Sequence, residues 1–264
     1  MLKCCSLYSG SSGNSFFIQS ENTKILVDAG VSCKKIETAL KEKFNLTLNN
    51  INAIFITHEH VDHTKGLNLI SSKYNIPVYA SNGTWNALGN KVNKVAKENK
   101  KIFTINKSLE YGDFRIYPFS TPHDAAEPCG FNIYCGKSKI SIATDIGYID
   151  ESLFENLKES SFIMLESNYE PSILKVSSYP YLLKKRISSK NGHLSNIDAG
   201  KTICKLVDYG LKDALLIHLS KENNMPEIAY ETVLENLKKH NYSLDNINLN
   251  IAPRDNPSQI FNIL

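Results

Sequence analysis

The chain has 264 residues, 42% of them hydrophobic, and a formal net charge of +3, an ordinary composition for a globular protein with a sizeable core. This composition excludes a largely disordered chain, and the charge is too small to indicate a nucleic-acid binder by itself. The six cysteines form no Cys-x-x-Cys pair, which argues against a zinc ribbon, a thioredoxin-like redox site and a disulfide framework.

Short apolar strands dominate the N-terminal part of the chain. Between the first two lies the Ser-Gly-Ser-Ser-Gly-Asn stretch 9–14, a tight turn whose glycines can take positive φ. The predicted elements in chain order are strands over 2–8, 15–19 and 24–28, a helix over 32–43, a strand over 53–57, a helix over 65–74 and a strand over 78–80.

The second part again has strands first and helices later. Two successive segments in which strands precede helices predict an α/β (α+β) fold, a four-layer αββα sandwich of two mixed β-sheets flanked by helices. In such a fold, loops at one edge of both sheets can converge on a single site. No repeat or linker is visible, so 1–264 is predicted to be a single domain. The predicted elements are several strands between 102 and 121, strands over 131–135, 140–144, 162–165 and 214–219, and helices over 151–158, 179–186, 197–209 and 227–240.

The N-terminus and the lengths of the apolar runs allow a prediction of where in the cell the protein is found. The first residues, Met-Leu-Lys-Cys-Cys-Ser, contain no long apolar run before a cleavage site, so no secretory signal is expected. No stretch approaches the roughly 20 apolar residues of a membrane span. A cytoplasmic protein without membrane association is therefore predicted, and its oligomeric state is left open.

The segment Thr-His-Glu-His-Val-Asp-His, residues 57–63, follows an apolar strand and predicts a metal site. Just after a strand, residues two apart point the same way, so His58 and His60 can reach one ion together. Asp62 and His63, at the turn into the next helix, can face a second ion. Imidazole with carboxylate suits zinc, manganese or iron. The alternative is a chance cluster of surface polar residues.

Three further residues that can ligate metals follow later apolar strands: His123, Asp145 and His218. Taken singly, each could be a solvated or core polar residue. Taken with the histidine cluster, they predict a site for two cations, and an aspartate between the cations could bridge them through both oxygens.

These residues resemble the ligand set of the metallo-β-lactamase superfamily, in the family's order, and the Val-Asp-Ala-Gly stretch 27–30 resembles the Asp-containing element that precedes it. The resemblance covers nearly the whole chain and implies the metallo-β-lactamase fold with two divalent metal ions, Zn²⁺ or Mn²⁺, with iron as a further candidate. It implies that one metal is held by His58, His60 and His123, and the other by Asp62, His63 and His218, with Asp145 bridging.

Several branches of the superfamily are disfavoured. A secreted β-lactamase would need a signal peptide, and flavodiiron proteins carry a carboxylate where His60 stands. The stretch from Asp145 to His218 is too short for the inserted domain of β-CASP nucleases. No Gly/Pro-rich arm of the kind that clamps tRNA is present.

Three strings favour one branch: 9–14, Asn-Gly-His-Leu-Ser-Asn at 191–196, and His-Leu-Ser-Lys-Glu-Asn-Asn at 218–224. Together they resemble the YycJ/WalJ family of bacterial cytoplasmic phosphodiesterases or exonucleases, which implies a nucleic acid, DNA in particular, as substrate. The chain departs from that family at Tyr169 and Glu170, where relatives usually have His-Asp.

His193 lies in a turn-rich stretch ahead of the last ligand, where tRNA-processing relatives place a proton-donating histidine. It is predicted to be the general acid, since a histidine pKa lies near neutrality. The alternative is a turn residue before a helix capped by Ser195 or Asn196.

Four residues are predicted to bind substrate: Ser12, Asn14, Arg186 and Ser195. Backbone N–H groups of the 9–14 turn could cradle a phosphate, although a plain hairpin turn is the alternative. Arg186 belongs to a basic stretch and its guanidinium suits phosphate, whereas charge runs are often only solvated faces.

The predicted reaction is hydrolysis of a phosphodiester, in particular as a DNA 5′-to-3′ exonuclease. Two metals would generate a hydroxide that attacks in line, with Asp62 and Asp145 holding the ions and orienting the water, and His193 protonating the leaving oxygen. The alternatives are a small cyclic phosphodiesterase, a thioester or lactone hydrolase on the same metals, a mononuclear-iron redox enzyme, and a metal-stabilised binding module. The sequence does not decide DNA against RNA, exo- against endonuclease, or the native metal.

Overall fold

The computed structural model describes residues 1–242 and 247–263, and contains two seven-stranded sheets. The first sheet consists, in spatial order, of β14 (Phe261–Ile263), β1 (Leu2–Tyr8), β2 (Ser15–Gln19), β3 (Lys24–Val27), β4 (Ala53–Phe55), β5 (Val78–Ala80) and β6 (Lys100–Ile102). The second consists of β13 (Asn248–Ile251), β12 (Asp213–Ile217), β11 (Phe162–Glu166), β10 (Ser138–Ala143), β9 (Cys129–Cys135), β8 (Phe114–Ser120) and β7 (Leu109–Tyr111).

Helices follow the strands of both sheets, and several of them pack on the outer faces. Those that follow the first sheet's strands are α1 (Cys33–Phe44), α2 (Val61–Thr64), α3 (Leu67–Tyr74) and α4 (Asn82–Leu88). Those that follow the second sheet's strands are α5 (Glu151–Leu157), α6 (Pro171–Val176), α7 (Tyr181–Ile187), α8 (Asn196–Val207) and α9 (Pro226–Lys239). No helix in the described part of the chain is long and apolar enough to cross a membrane.

Three apolar cores separate the four layers. The central core lies between the sheets, where Phe16 and Phe55 of the first sheet join Phe131 and Ile142 of the second. An outer core packs α1 and α3 on the first sheet, and another packs α5, α8 and α9 on the second. The predicted αββα sandwich of two mixed sheets is therefore confirmed, since each sheet is buried on both faces.

Parallel strands place the polar strand ends together. Strands β3, β4 and β5 run parallel in the first sheet, and β10, β11, β12 and β13 run parallel in the second. The carboxyl ends of parallel strands meet at one edge of a sheet, which is where ligands bind in open α/β sheets. The two sheets bring these edges side by side.

The structure also corrects several element predictions. The predicted helix over 65–74 is present as α3, which begins two residues later, at Leu67. Helices α2, α4 and α6 and the two C-terminal strands β13 and β14 were not predicted from the sequence. The predicted strand over 24–28 ends at Val27, because Asp28 has a left-handed backbone (φ 63°) that a strand cannot continue.

Candidate metal centre

Three polar residues stand at the carboxyl ends of strands in the left-handed region of backbone space. Asp28, Asp145 and His218 have φ angles of 63°, 55° and 56°. Residues other than glycine rarely adopt this conformation. Those that do are concentrated at functional sites, where the surrounding structure holds them. Each of the three is almost fully buried at the junction of the two sheets.

The histidine segment is fixed by backbone contacts with two neighbouring loops. Its Asp62 carbonyl accepts a hydrogen bond from Asn14 N (2.8 Å), and its His63 carbonyl accepts one from Ala29 N (2.8 Å). Gly30 lies so close that a Cβ there would be 1.6 Å from the Asp62 carbonyl oxygen. These contacts hold the backbone of the segment that follows β4, and its side chains lie next to the edge of the second sheet.

Three imidazoles form a first group. His58 Nε2 lies 3.1 Å from His60 Nδ1, and His123 Nε2 lies 3.3 Å from the same atom. His123 donates its Nδ1 hydrogen to the carbonyl of Gly192 (3.0 Å), which leaves Nε2 as an acceptor facing the other two rings. All three nitrogens lie within 4.8 Å of one another, the spacing expected of ligands to one ion.

A second group consists of Asp62, His63 and His218. Asp62 Oδ2 lies 3.5 Å from His63 Nε2 and 3.6 Å from His218 Nε2. Asp145 stands between the two groups, with Oδ2 at 3.2 Å from His63 Nε2 and Oδ1 at 3.7 Å from His123 Nε2. A carboxylate whose two oxygens face different groups has the placement required of a bridge.

The donor set fits two divalent cations. His218 Nε2 is buried and has no hydrogen-bond partner among the described residues, a costly state for a polar atom that a ligated cation would relieve. Imidazole nitrogens and carboxylate oxygens in this ratio suit zinc or manganese. The seven residues predicted as ligands are all brought together here, and their role as ligands stays a prediction: His58, His60, Asp62, His63, His123, Asp145 and His218.

Asp28 orients His63 from behind. Its Oδ2 accepts a hydrogen bond from His63 Nδ1 (2.7 Å), and Oδ1 accepts one from Thr57 N (2.9 Å). Burial acts to lower the pKa of His63, but Asp28 and Asp145 raise it well above its ordinary value. A cation bound at Nε2 would displace the proton held there, so metal binding at this position releases a proton.

His193 and Glu166 form a pair at the rim of the centre. His193 Nδ1 donates to Glu166 Oε1 (2.8 Å), and Glu166 Oε2 accepts from the backbone N–H groups of Ile146 (2.8 Å) and Leu194 (3.0 Å). Burial acts to lower the pKa of His193, but the charges of Glu166 and Asp145 raise it to about 9. The imidazole is therefore cationic near neutral pH, and its Nε2 is not used in the contact with Glu166.

Glu166 was missed in the sequence analysis. A usable signal existed, because Glu166 ends the apolar strand β11, between the strands that end near Asp145 and His218. Glu166 also lies within ligand distance of Asp145, His193 and His218. Its oxygens are already used by three N–H donors, which favours a positioning role for this carboxylate.

The residues predicted to bind substrate lie in different surroundings. Ser12 is exposed at the tip of the 9–14 turn. Asn14 is fully buried, and its Oδ1 accepts from Gly10 N (2.9 Å). The amides of Gly13 and Asn14 also donate within the protein, which reduces the number of N–H groups available to cradle a phosphate. The turn therefore chiefly supports the Asp62 backbone.

The other two predicted substrate residues flank His193 in sequence. Ser195 caps helix α8, its hydroxyl accepting from Asp198 N (3.1 Å), in agreement with the alternative considered for this stretch. Arg186 is half-exposed and forms a two-point ion pair with Asp124, with Nε and Oδ2 2.5 Å apart. Asp124 Oδ1 lies 3.4 Å from His123 Nε2, so Arg186 adjoins the first group.

The two departures from the YycJ/WalJ pattern lie outside the metal centre. Glu170 precedes helix α6, and its Oε2 accepts from Asn196 Nδ2 (3.2 Å). Tyr169 pairs with Ser195 through the backbone, and its ring lines a cavity beneath α6 and α7. These side chains therefore shape the neighbouring surface and are not among the metal-ligand groups.

Comparisons with known proteins identify a family, sequence relatives and structures that the chain resembles. The family described as the Beta-lactamase superfamily domain matches residues 23–219. The chain is 35% identical to exodeoxyribonuclease YycJ of Bacillus anthracis over 238 residues, which are 90% of each chain. It is 38% identical to exodeoxyribonuclease WalJ of Streptococcus pneumoniae over 233 residues, 88% of this chain and 86% of that one. The structure of Zn²⁺-bound PqqB from Methylobacterium extorquens has the same fold, with a TM-score of 0.73 over 98% of this chain and 100% of its own at 14% identity.

Proposed function

Since this chain belongs to the β-lactamase superfamily and is a metal-dependent hydrolase, we propose that it cleaves phosphodiester bonds of DNA as a 5′-to-3′ exonuclease that uses two divalent ions. One observation carries the proposal: the seven-residue ligand set lies beside the His193–Glu166 pair, a proton donor oriented toward the same edge. Thioester hydrolysis would leave that donor without a purpose, because a thiolate leaves without protonation.

The metals would be held by His58, His60 and His123 in one position and by Asp62, His63 and His218 in the other, with Asp145 shared. Divalent ions at such positions lower the pKa of a water molecule and neutralise charge on a phosphoryl group. The buried carboxylate of Asp28 keeps the His63 ring in the orientation that exposes Nε2. The protein's part is to fix these donors before the substrate arrives.

His193 supplies the proton that a leaving alkoxide needs. Glu166 accepts the hydrogen bond from Nδ1, which fixes the ring and leaves the Nε2 hydrogen for another acceptor. The side chain keeps 17% of its surface exposed, so a substrate can reach it. After the P–O bond breaks, the proton on Nε2 passes to the departing oxygen, and the resulting neutral imidazole is reprotonated by water.

The names of two relatives support DNA as the substrate. YycJ and WalJ are both called exodeoxyribonucleases, and each aligns with nearly the whole chain. The charge beside the centre is compatible with a polyanionic substrate, since Lys185, Arg186 and Lys190 lie on the segment that leads into His193.

The proposal is tested with 5′-phosphorylated single- and double-stranded DNA in Mn²⁺ or Zn²⁺. Stepwise release of 5′ nucleotides by the native protein, absent in Asp62→Ala and retained in the surface variant Asp113→Ala, is expected. Digestion from the 3′ end would overturn the direction. Hydrolysis of bis-p-nitrophenyl phosphate without DNA digestion would point to a small phosphodiester, and inactivity on both would contradict phosphodiesterase function.

A further inference from the structure

Helices α6 and α7 form a hairpin that presents large apolar side chains to solvent. Val176, Tyr181 and Leu182 are 81%, 75% and 77% exposed. The hairpin has its own small core, in which Leu174 and Ile187 pack with Tyr169. An exposed apolar surface above a packed core is typical of an interaction site.

The charge of the hairpin has a single sign. Residues 171–192 contain five basic residues and no acidic residue, although the whole chain is nearly balanced. Arg186 is already paired with Asp124, so the attraction for a polyanion comes mainly from the four lysines of this surface. The basic residues are Lys175, Lys184, Lys185, Arg186 and Lys190.

A cavity of about 440 Å³ opens between the two helices. Its floor is formed by Tyr169, Pro171 and Leu174, and its rim by Tyr181, Lys184 and Lys185. This size lies within the range of about 300–1,000 Å³ found for small-molecule sites. An apolar, partly aromatic floor with an ammonium rim matches a base joined to a phosphate.

The hairpin is connected directly to the metal centre. The turn after α7 carries Gly192, whose carbonyl accepts the His123 Nδ1 hydrogen, and then His193. Within α7, Arg186 contacts Asp124, which adjoins His123. A strand lying on the hairpin would therefore continue into the centre along this segment.

We propose that the α6–α7 hairpin is a platform for single-stranded nucleic acid, on which an unpaired base stacks against Tyr181 at the cavity while Lys184 and Lys185 contact the adjacent phosphates. A duplex keeps its base faces covered and would use only the lysines, so the exposed aromatic favours an unpaired strand. This inference rests on the proposed nuclease function for the identity of the polymer, and it assigns a site that lies outside the metal-ligand set.

Binding is measured separately from cleavage, with metal-loaded protein and a fluorescent, nuclease-resistant phosphorothioate oligothymidylate. Tyr181→Ala is expected to weaken binding by about 5- to 150-fold, the range for loss of one base–aromatic stack, and Tyr181→Trp is expected to retain it. Lys184→Ala/Lys185→Ala is expected to flatten the salt dependence of log Kd by about 1.4, at about 0.7 for each phosphate contact on a single strand.

Matched controls are the exposed Tyr209→Ala and the pair Lys238→Ala/Lys239→Ala at the end of α9, which are expected to leave binding unchanged. Melting temperature and metal content are recorded for every variant, so misfolding is recognised. In a further experiment, one abasic nucleotide is placed at each position of the oligonucleotide in turn. At one position the native protein and Tyr181→Ala should then bind with equal affinity, and this position identifies the stacked base.

Two results would overturn the platform: native protein that does not bind the oligonucleotide, or Tyr181→Ala that binds it as native protein does. If Tyr181→Ala weakened binding of an oligonucleotide that is abasic throughout as much as it weakens binding of oligothymidylate, stacking would also be contradicted. Binding that depends on Tyr181 without any DNA hydrolysis would retain the platform and refute the proposed nuclease function, so the two failures are distinguishable.

Discussion

The Glu166 carboxylate sets the charge state of the proposed proton donor. It accepts from His193 Nδ1 at 2.8 Å and is itself held by two backbone N–H groups. Against the effect of burial, its charge and that of Asp145 raise the pKa of His193 to about 9. A general acid works only while protonated, so activity should decline as the pH rises through this pKa.

Replacing Glu166 with glutamine should move the alkaline decline of kcat to lower pH. The substitution removes a negative charge beside His193 and lowers its pKa while preserving the size of the side chain. The measurement is the pH profile of kcat on DNA for Glu166→Gln beside the exposed control Glu155→Gln. An alkaline limb in the same place as that of the native protein would show that another group titrates.

His193→Ala should retain both metals and lose turnover on DNA by at least a hundredfold. The loss corresponds to a typical general-acid contribution of about 10²–10⁴. Metal content by mass spectrometry and kcat from labelled DNA are measured together, with His240→Ala, on the exposed end of α9, as the control. Turnover close to that of the native protein would remove His193 from this role.

Asp28→Asn should weaken metal binding by about 10- to 100-fold without removing a predicted ligand. The amide lacks the charge that holds His63, and residues hydrogen-bonded to ligating histidines typically contribute this much. Titration of the apoprotein with Zn²⁺ by calorimetry gives the affinity, and Asp113→Asn, which is on a surface turn, is the control. Unchanged affinity would show that the Asp28–His63 contact has no part in metal binding.

Among the structural elements, the sequence predicts best the apolar strands and the polar residues that follow them. The apolar strand before His58 and those before Asp145 and His218 are visible as runs of apolar residues, and a polar residue after such a run is a clear signal. The resemblance to a known family then supplied the ligand order. The two-sheet sandwich follows from the same runs.

The elements that were missed depend on tertiary contacts. Strand β14 has three residues and exists because it pairs with β1, more than 250 positions away in the chain (Leu2 with Ile263). Helix α6 has six residues, too short for a periodic pattern, and is stabilised by its small core with α7. Glu166 was not recognised because its partner His193 becomes its neighbour only after folding.

Loop packing around Gly30 leads to a prediction at this scale. Gly30→Ala should displace the Asp62 backbone, lower stability sharply and reduce metal content, because the new Cβ would lie 1.6 Å from the Asp62 carbonyl oxygen. Gly136→Ala is the control, since its Cβ meets no atom within 4 Å and its positive φ (60°) costs only about 1–2 kcal/mol. Melting temperature and metal content are measured for both, and equal effects would contradict the close-approach argument.

Across the whole molecule, the metal centre joins the two sheets. His58, His60, Asp62 and His63 follow the first sheet, whereas His123, Asp145 and His218 follow strands of the second. Cations held between these sets would link the two layers at their shared edge. Ligands that bind only the folded state stabilise it, by about 2.7 kcal/mol at a concentration of 100 times Kd.

Removal of metal by a chelator should therefore lower the melting temperature, and added Zn²⁺ should restore it in a concentration-dependent way. A single domain over 1–264, as predicted, should unfold in one transition with metal bound. The measurement is calorimetric melting of the native protein and of Asp62→Ala, which should respond less to metal. A melting temperature independent of metal would show that the ions do not link the sheets.

The most direct test of the two-metal centre is anomalous X-ray scattering from crystals of the metal-loaded protein. Two peaks are predicted, one among His58, His60 and His123 and one between Asp62 and His218, both within reach of Asp145. A single peak, or peaks away from these side chains, would contradict the account.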